Sequence, residues 1–405
     1  MTVLDATPLY RPLTQFLLGD TTTAQAAAHQ FSKMEQWSQA LKLSFDWRVT
    51  PQFWQRIQDL SIELPESTRK EIAGLCRIVS IKSTTAAHRS SQVLAHLAAA
   101  DIPAIAFKGI GVMASLYAKP SDRMVGDLDL LICPTHLEAT CKSLDSIGFK
   151  PVVSGDLTDY LAYLEHRTRQ DNLFLIFKDS SGFEIDLHWG LKAIGGYPFP
   201  VSKVIKRATY SHLLGQTIAV ASPIDAMLLA THHSIRDDFA PPSSVKDLCD
   251  LQAWWGKSQD WSVAALAHQA KQVGLLVPLL ALWRVLAEYN STGAAAKGVQ
   301  AIQTLLPSTE QEQAHHLALL FHWQLYGEAI NRDVLHSLNL TTLARFIKRR
   351  FQQRQTLAFD QILWGVQSNS RIALSKRQQL LTTLRQLNPR KLSAYRTLAT
   401  LQNQD

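Results

Sequence analysis

The chain has 405 residues, enough for two or three domains at roughly 100–200 residues each. It is 46% hydrophobic and 19% charged, with ten tryptophans, a balance that excludes disordered, collagen-like and coiled-coil classes. The net charge of +7 is uneven, because residues 341–405 hold twelve basic side chains against Asp360 and Asp405.

The most apolar stretch, Gly274 to Trp283, is interrupted by Pro278 and closed by Arg284. It falls short of the roughly 20 apolar residues of a membrane span and reads as a buried helix. Met1 to Tyr10 carries Asp5 and no basic segment before an apolar run, so a cytoplasmic location is expected. The four cysteines, Cys76, Cys133, Cys141 and Cys249, have neither CxxC nor Cys/His ligand spacing and read as small core residues.

Residues 1 to about 100 place apolar side chains at three- and four-residue spacing over 13–18, 24–37, 51–62 and 72–99, which predicts helices. Ile102 to Phe107 is then a short strand ending in Lys108-Gly109, followed by a helix over 110–117 and a turn at Lys119-Pro120. Asp127 to Ile132 is a second strand, and Pro134 opens a helix closed by Gly148. Phe149 to Val153 is a third strand candidate, and 157–167 reads as helix. Asn172–Phe177 and Phe183–Trp189 flank Lys178-Asp-Ser-Ser-Gly182 as a hairpin. From Pro223 onward the pattern is helical again, through the basic final stretch.

In Asp127-Leu128-Asp129-Leu130 the strand period of two puts both carboxylates on one face. Two acids this close repel unless a cation sits between them, and a hard divalent ion prefers carboxylate oxygen. Glu184, Asp186 and His188 share one face of the later strand in the same way. If the hairpin lies beside the Asp127 strand, a third carboxylate reaches the same metals, as two-metal phosphoryl transfer requires. Lys108-Gly109, between a strand and a helix, is a place where backbone N–H groups and a lysine attract phosphate. Arg123 either neutralises phosphate or pairs with the acids. His188 either hydrogen-bonds a phosphate or a metal-bound carboxylate, or is a structural histidine beside Trp189. His232 and His233, adjacent on a helix, point apart and form no metal pair. Lys246-Asp247 after Ser243-Ser244 reads as a capped helix start.

Taken in order, Phe107-Lys-Gly109, Leu116-Tyr117, Arg123-Met-Val-Gly-Asp127-Leu-Asp-Leu-Leu-Ile132, Ile147-Gly-Phe149 and Ile185-Asp-Leu-His-Trp189 resemble the uncharacterised nucleotidyltransferase family of the DNA polymerase β-like superfamily. The likeness covers roughly residues 90 to 255. It implies an α/β (α+β) nucleotidyltransferase core with a small mixed sheet, flanked by N-terminal and C-terminal all-helical regions, which we delimit as 91–200, 1–90 and 201–405. It also implies a Mg²⁺-dependent (or Mn²⁺-dependent) transfer of NMP from an NTP, ATP included, to an acceptor hydroxyl or phosphate. On this sequence the superfamily's paired metal acids fall on Asp127 and Asp129 and its third acid on Asp186, with Glu184 as the alternative third ligand. Lys108, Gly109 and Arg123 fall on the phosphate side, with His188 beside them, and Lys246 and Asp247 lie where relatives carry substrate-side groups. The superfamily usually has Gly-Ser or Gly-Gly where this chain has Lys108-Gly109, and the gap from Gly109 to Asp127 is eighteen positions.

The acceptor, whether small molecule, peptide, protein or RNA, is not encoded in these motifs. Two other functions share them: a non-catalytic nucleotide-sensing or partner-binding protein, and a two-metal phosphodiester hydrolase. In the basic tail Phe346, Phe351, Phe359 and Trp364 interleave with arginines at amphipathic spacing. The tail is expected to be helices packed on the preceding region, against a second reading as a polyanion-binding surface.

Overall fold

The structure, a computed structural model, describes residues 3–152, 173–191, 199–237, 241–257, 261–291 and 293–326. Five helices lead the chain: α1 (Val3–Leu18), α2 (Thr21–Lys33), α3 (Trp37–Asp46), α4 (Thr50–Asp59) and α5 (Glu66–Ala99). Asp20 caps α2 by accepting from the Thr23 backbone N–H at 2.8 Å. The single helix expected over 24–37 is broken after Lys33, with Glu35 in the left-handed region at φ 52°. A continuous helix would carry Trp37 about 240° round the axis from Phe31. The break instead lets both face one core, their ring centroids 5.2 Å apart.

The middle of the chain forms a seven-stranded mixed sheet in the order β3-β4-β5-β2-β1-β7-β6. Its elements are β1 (Ala104–Ala106), α6 (Lys108–Leu116), β2 (Asp127–Ile132), α7 (Leu137–Ser146), β3 (Lys150–Pro151), β4 (Leu173–Lys178), β5 (Glu184–Gly190), α8 (Val201–Lys206), β6 (Thr209–Leu213) and β7 (Gln216–Val220). The hairpin read from the sequence is β4–β5, antiparallel, and its turn is tied to α5 by an ion pair between Arg89 and Asp179. The predicted helix over 157–167 lies outside the described residues.

The sequence pattern does not show the β6–β7 hairpin, which extends the sheet past residue 200. β6 is largely exposed, Tyr210 by 77%, and β7 turns only Ile218 and Val220 inward, too short an alternation to mark a hairpin. Leu214 and Gly215, at φ 49° and 81°, make the two-residue turn whose left-handed geometry matches strand twist.

One sheet face is apolar. Leu128, Leu130, Ile185 and Leu187 are fully buried against Leu94 and Leu97 of α5 and Leu144 of α7. Full burial of each such side chain stabilises the fold by roughly 1.5–3 kcal/mol, so this face fixes the strand register and turns the acids the other way.

Six further helices follow: α9 (Pro223–Arg236), α10 (Pro241–Gly256), α11 (Val263–Gln272), α12 (Leu276–Tyr289), α13 (Ala294–Gln303) and α14 (Ser308–Tyr326). As the interrupted apolar stretch implies, α12 is a core helix, buried from Leu276 through Trp283. A second core joins Phe16, Phe31 and Phe53 of the leading helices to Leu279, Trp283 and Phe321. The first and last helical regions therefore pack together over the acidic side of the sheet. Of the four cysteines, Cys141 and Cys249 are buried and Cys76 and Cys133 half-buried. Among the described residues no helix is long and apolar enough to cross a membrane. The basic tail lies outside the described residues.

Helix α6 is seated on β1 by a close approach. A Cβ added at Gly111 would lie 2.4 Å from the Ala106 carbonyl oxygen, which is backbone and cannot swing away. Gly111→Ala is expected to cost about 1–3 kcal/mol, read as a lowered denaturant midpoint at unchanged slope. An unchanged midpoint would show that α6 is free to lift from the strand.

Candidate active site

The site is assembled by parallel pairing of β2 with β5, which sets Asp127 beside Glu184, Asp129 beside Asp186 and Leu131 beside His188. Asp127, Asp129, Asp186 and His188 all line one cavity of about 360 Å³, within the size range of small-molecule sites. Glu184 turns aside and pairs with Lys178 across the hairpin at 2.7 Å. Of the two candidates for a third acid, Asp186 is thus the one aimed inward.

Three carboxylates on one wall, Asp129 buried and Asp127 and Asp186 half-buried, disturb one another. Burial raises the Asp186 carboxyl to about 7, helped by the charges of Asp129 and Asp127. Burial and Asp129 likewise raise Asp127. Burial alone would raise Asp129 too, but Lys108, its Nζ 2.7 Å from Asp129 Oδ1, outweighs it and holds this acid at about 2.

Lys108 opens α6 with φ 51°, a left-handed conformation that costs a non-glycine residue roughly 1–2 kcal/mol. Gly109 lines the cavity next to it, and a Cβ there would come within 3.1 Å of Val125 Cγ1.

His188 is packed between aromatic rings, stacked on Phe174 at 5.3 Å and edge-on to Phe107 at 5.1 Å. Its side chain is 3% exposed and neither ring nitrogen has a hydrogen-bond partner. Burial and the nearby Lys108 charge lower its pKa well below the usual value, which disfavours the charged imidazolium. Its Nε2 lies 3.8 Å from Asp129 Oδ1, and ligand atoms of Asp129, Asp186 and His188 all fall within 4.8 Å of one another. These three side chains could hold a metal ion.

Arg123 lines the cavity but is already engaged. Its guanidinium grips Asp250 of α10, with NH2 to Oδ2 at 2.7 Å, and donates to the Gly109 carbonyl at 3.3 Å. Of the two sequence readings, pairing is realised, with Asp250 rather than with Asp127 as the acid. Tyr117 donates to Asp250 at 2.8 Å, and Gln52 of α4 donates to Tyr117.

Other cations also line the cavity: Arg48, at φ 58° in the turn between α3 and α4, Arg236 at the end of α9, and Lys246 of α10. Burial and the Arg123 charge lower the Lys246 pKa. Lys246 and Asp247 are not at a capped helix start, because α10 begins at Pro241 and the Ser243 hydroxyl donates to Asp237. Asp247 instead bonds His233 Nδ1 at 2.8 Å and the Ser234 hydroxyl. The two neighbouring histidines do diverge, His233 into the cavity and His232 against the Phe199 ring.

The sequence reading missed Arg48, Arg236 and Asp250. Each sits in a helical segment or turn where a lone charge looks like an ordinary solvated residue, and nothing local signals the long-range contact.

A family profile described as uncharacterised nucleotidyltransferase matches residues 33–290. The chain belongs to the uncharacterised nucleotidyltransferase family. The match begins in α2 and ends after α12, so it takes in the turn and the helix that supply Arg48, Lys246 and Asp250 to the cavity. Among curated proteins no relative matches the chain.

Proposed function

We propose that the protein transfers an NMP group from an NTP to an acceptor hydroxyl or phosphate, with divalent metal held by Asp127, Asp129 and Asp186. The observation that carries this reading is the polarity of the cavity: three carboxylates on adjacent strands form one wall, and Arg48, Lys108, Arg236 and Lys246 stand around it. An acidic wall suits metal, a cationic lining suits a triphosphate, and the family name fits both. The donor set suits the metal, since Asp127 and Asp186 are raised by burial and by the neighbouring acids, a charge that a divalent ion offsets, and among the described residues the His188 nitrogens lack partners.

When bound, the metal neutralises phosphate charge and activates the attacking oxygen. Lys108, Arg48, Arg236 and Lys246 hold the β- and γ-phosphates, and Gly109 lets the backbone approach them. Asp186 takes the proton of the acceptor oxygen as it attacks the α-phosphorus, and pyrophosphate leaves. Arg123 acts at one remove, fixing α10 to the start of α6. A cytoplasmic setting supplies the NTP.

The test is incubation with each α-labelled NTP and Mg²⁺ or Mn²⁺ in cell lysate. Pyrophosphate release with label on an acceptor is the expected result. Label appearing only as free nucleotide would make the protein a hydrolase, and no label or nucleotide turnover would leave a nucleotide-binding protein.

A further inference from the structure

We propose that Asp129, Asp186 and His188 form a metal seat with a nitrogen ligand, selective for Mn²⁺-class ions over Mg²⁺, and that the Lys108 ammonium holds this seat until the ion arrives. The proposal rests on reading this face as a metal site, and it is tested without nucleotide, so it stands or falls separately from NMP transfer.

The first observation is His188. Buried polar nitrogens are nearly always hydrogen-bonded, and a neutral imidazole has one donor and one acceptor to satisfy. Here both ring nitrogens are sealed from solvent and unbonded. Two aromatic rings fix the ring plane. Its Nε2 is directed at Asp129 Oδ1, yet 3.8 Å is too long for a hydrogen bond. A gap of that size between a nitrogen and a carboxylate oxygen suits a shared metal, since ligands near 2.1–2.2 Å from one ion lie roughly 3 Å apart or more. Asp186 falls within the same 4.8 Å limit.

Ligand chemistry then sets the ion. Mg²⁺ demands oxygen and keeps its waters, whereas Mn²⁺, itself mainly an oxygen-binding ion, accepts a nitrogen ligand more readily than Mg²⁺ does, and the later divalent ions more readily still. A His188 ligand therefore adds affinity for Mn²⁺, Co²⁺ or Zn²⁺ and little for Mg²⁺. The Asp127 and Asp129 pair is all oxygen and has no such bias.

Lys108 is the second observation. Its ammonium sits 2.7 Å from Asp129 Oδ1, the same oxygen that faces His188 Nε2. A divalent ion shared by that oxygen and that nitrogen would meet the ammonium at contact distance, so the two cations exclude each other. Lys108 begins α6 at φ 51°, and its ammonium lies over the Phe107 ring at 4.8 Å as well as against Asp129. Displacement by the ion frees the ammonium in the cavity, where phosphate is its next partner.

The experiment is titration of the metal-free full-length chain with MnCl₂ and MgCl₂ by calorimetry, with pulsed EPR on the Mn²⁺-loaded protein. In the unaltered chain we expect Mn²⁺ to bind at least tenfold more tightly than Mg²⁺ and to show ¹⁴N modulation from imidazole. His188→Phe, which suits the surrounding aromatic rings, should lose the ¹⁴N signal and about 100-fold in Mn²⁺ affinity, with Mg²⁺ affinity within a few-fold. Lys108→Met should bind Mn²⁺ about tenfold more tightly than the unaltered chain. Absence of ¹⁴N modulation in the unaltered chain overturns the nitrogen ligand whether or not the variants fold. Equal or weaker Mn²⁺ binding by Lys108→Met overturns the competition.

Discussion

Asp129→Asn is expected to lower NTP-dependent transfer by about 10³-fold, equivalent to about 4 kcal/mol of lost transition-state stabilisation. Asp129 is the residue through which the acids are connected. It stands level with Asp186 across the paired strands, shares the strand face of Asp127, and carries the Lys108 ion pair. An amide there keeps the shape and removes the charge. Stability should change little, because the loss of the Lys108 pair is set against removal of the Asp129 charge, which adds to burial in raising Asp127 and Asp186. Steady-state turnover and thermal unfolding on the same preparation separate the two effects. Turnover within tenfold of the unaltered chain would sink the metal role of Asp129. Glu184→Gln is the internal control, expected within about twofold, since that carboxylate is committed to Lys178 outside the acid cluster.

The acids were readable because a strand has a period of two. Asp127 with Asp129, and Asp186 with His188, fall on one face whatever the rest of the chain does. Which strand lies next to which is not a local property. The parallel pairing of β2 with β5 closes across more than fifty residues of intervening chain, and only a resemblance or a structure supplies it. Local pattern also fails where the sheet ends, since β6 and β7 bury too few side chains to mark a hairpin. The cationic side of the cavity was the least legible. Arg48 precedes Asp127 by 79 positions and Lys246 follows Asp186 by 60, each in a helical region whose amphipathic pattern accounts for it as surface. Arg123 was visible as a residue beside the acids, but its partner Asp250 was not, so its role was left divided between phosphate and ion pair.

That division has a measurable resolution in Arg123→Met. Arg123 and Asp250 have side chains only 3% exposed each, and their contact is bidentate, with Nε at 3.1 Å and NH2 at 2.7 Å. Burial opposes the guanidinium charge, and Asp250 more than restores it, raising the pKa above the ordinary arginine value. Removing one partner of such a pair strands the other charge, here together with the Tyr117 hydroxyl that donates to it. The expected loss is about 3–5 kcal/mol, a fall in the unfolding midpoint of roughly 5–10 °C. The double variant Arg123→Met with Asp250→Leu should recover much of this, because a buried pair replaced as a whole leaves no stranded charge. The kinetic signature follows from the same contacts. Arg123 ties α10 to the Gly109 carbonyl and so positions the Lys108 turn, which predicts a modest rise in NTP KM that the double variant does not restore. A phosphate-binding arginine would behave in the opposite way: Arg123→Met would raise the NTP KM by tenfold or more while leaving the unfolding midpoint within about 1 °C. That result would return Arg123 to the substrate and leave Asp250 as its orienting partner.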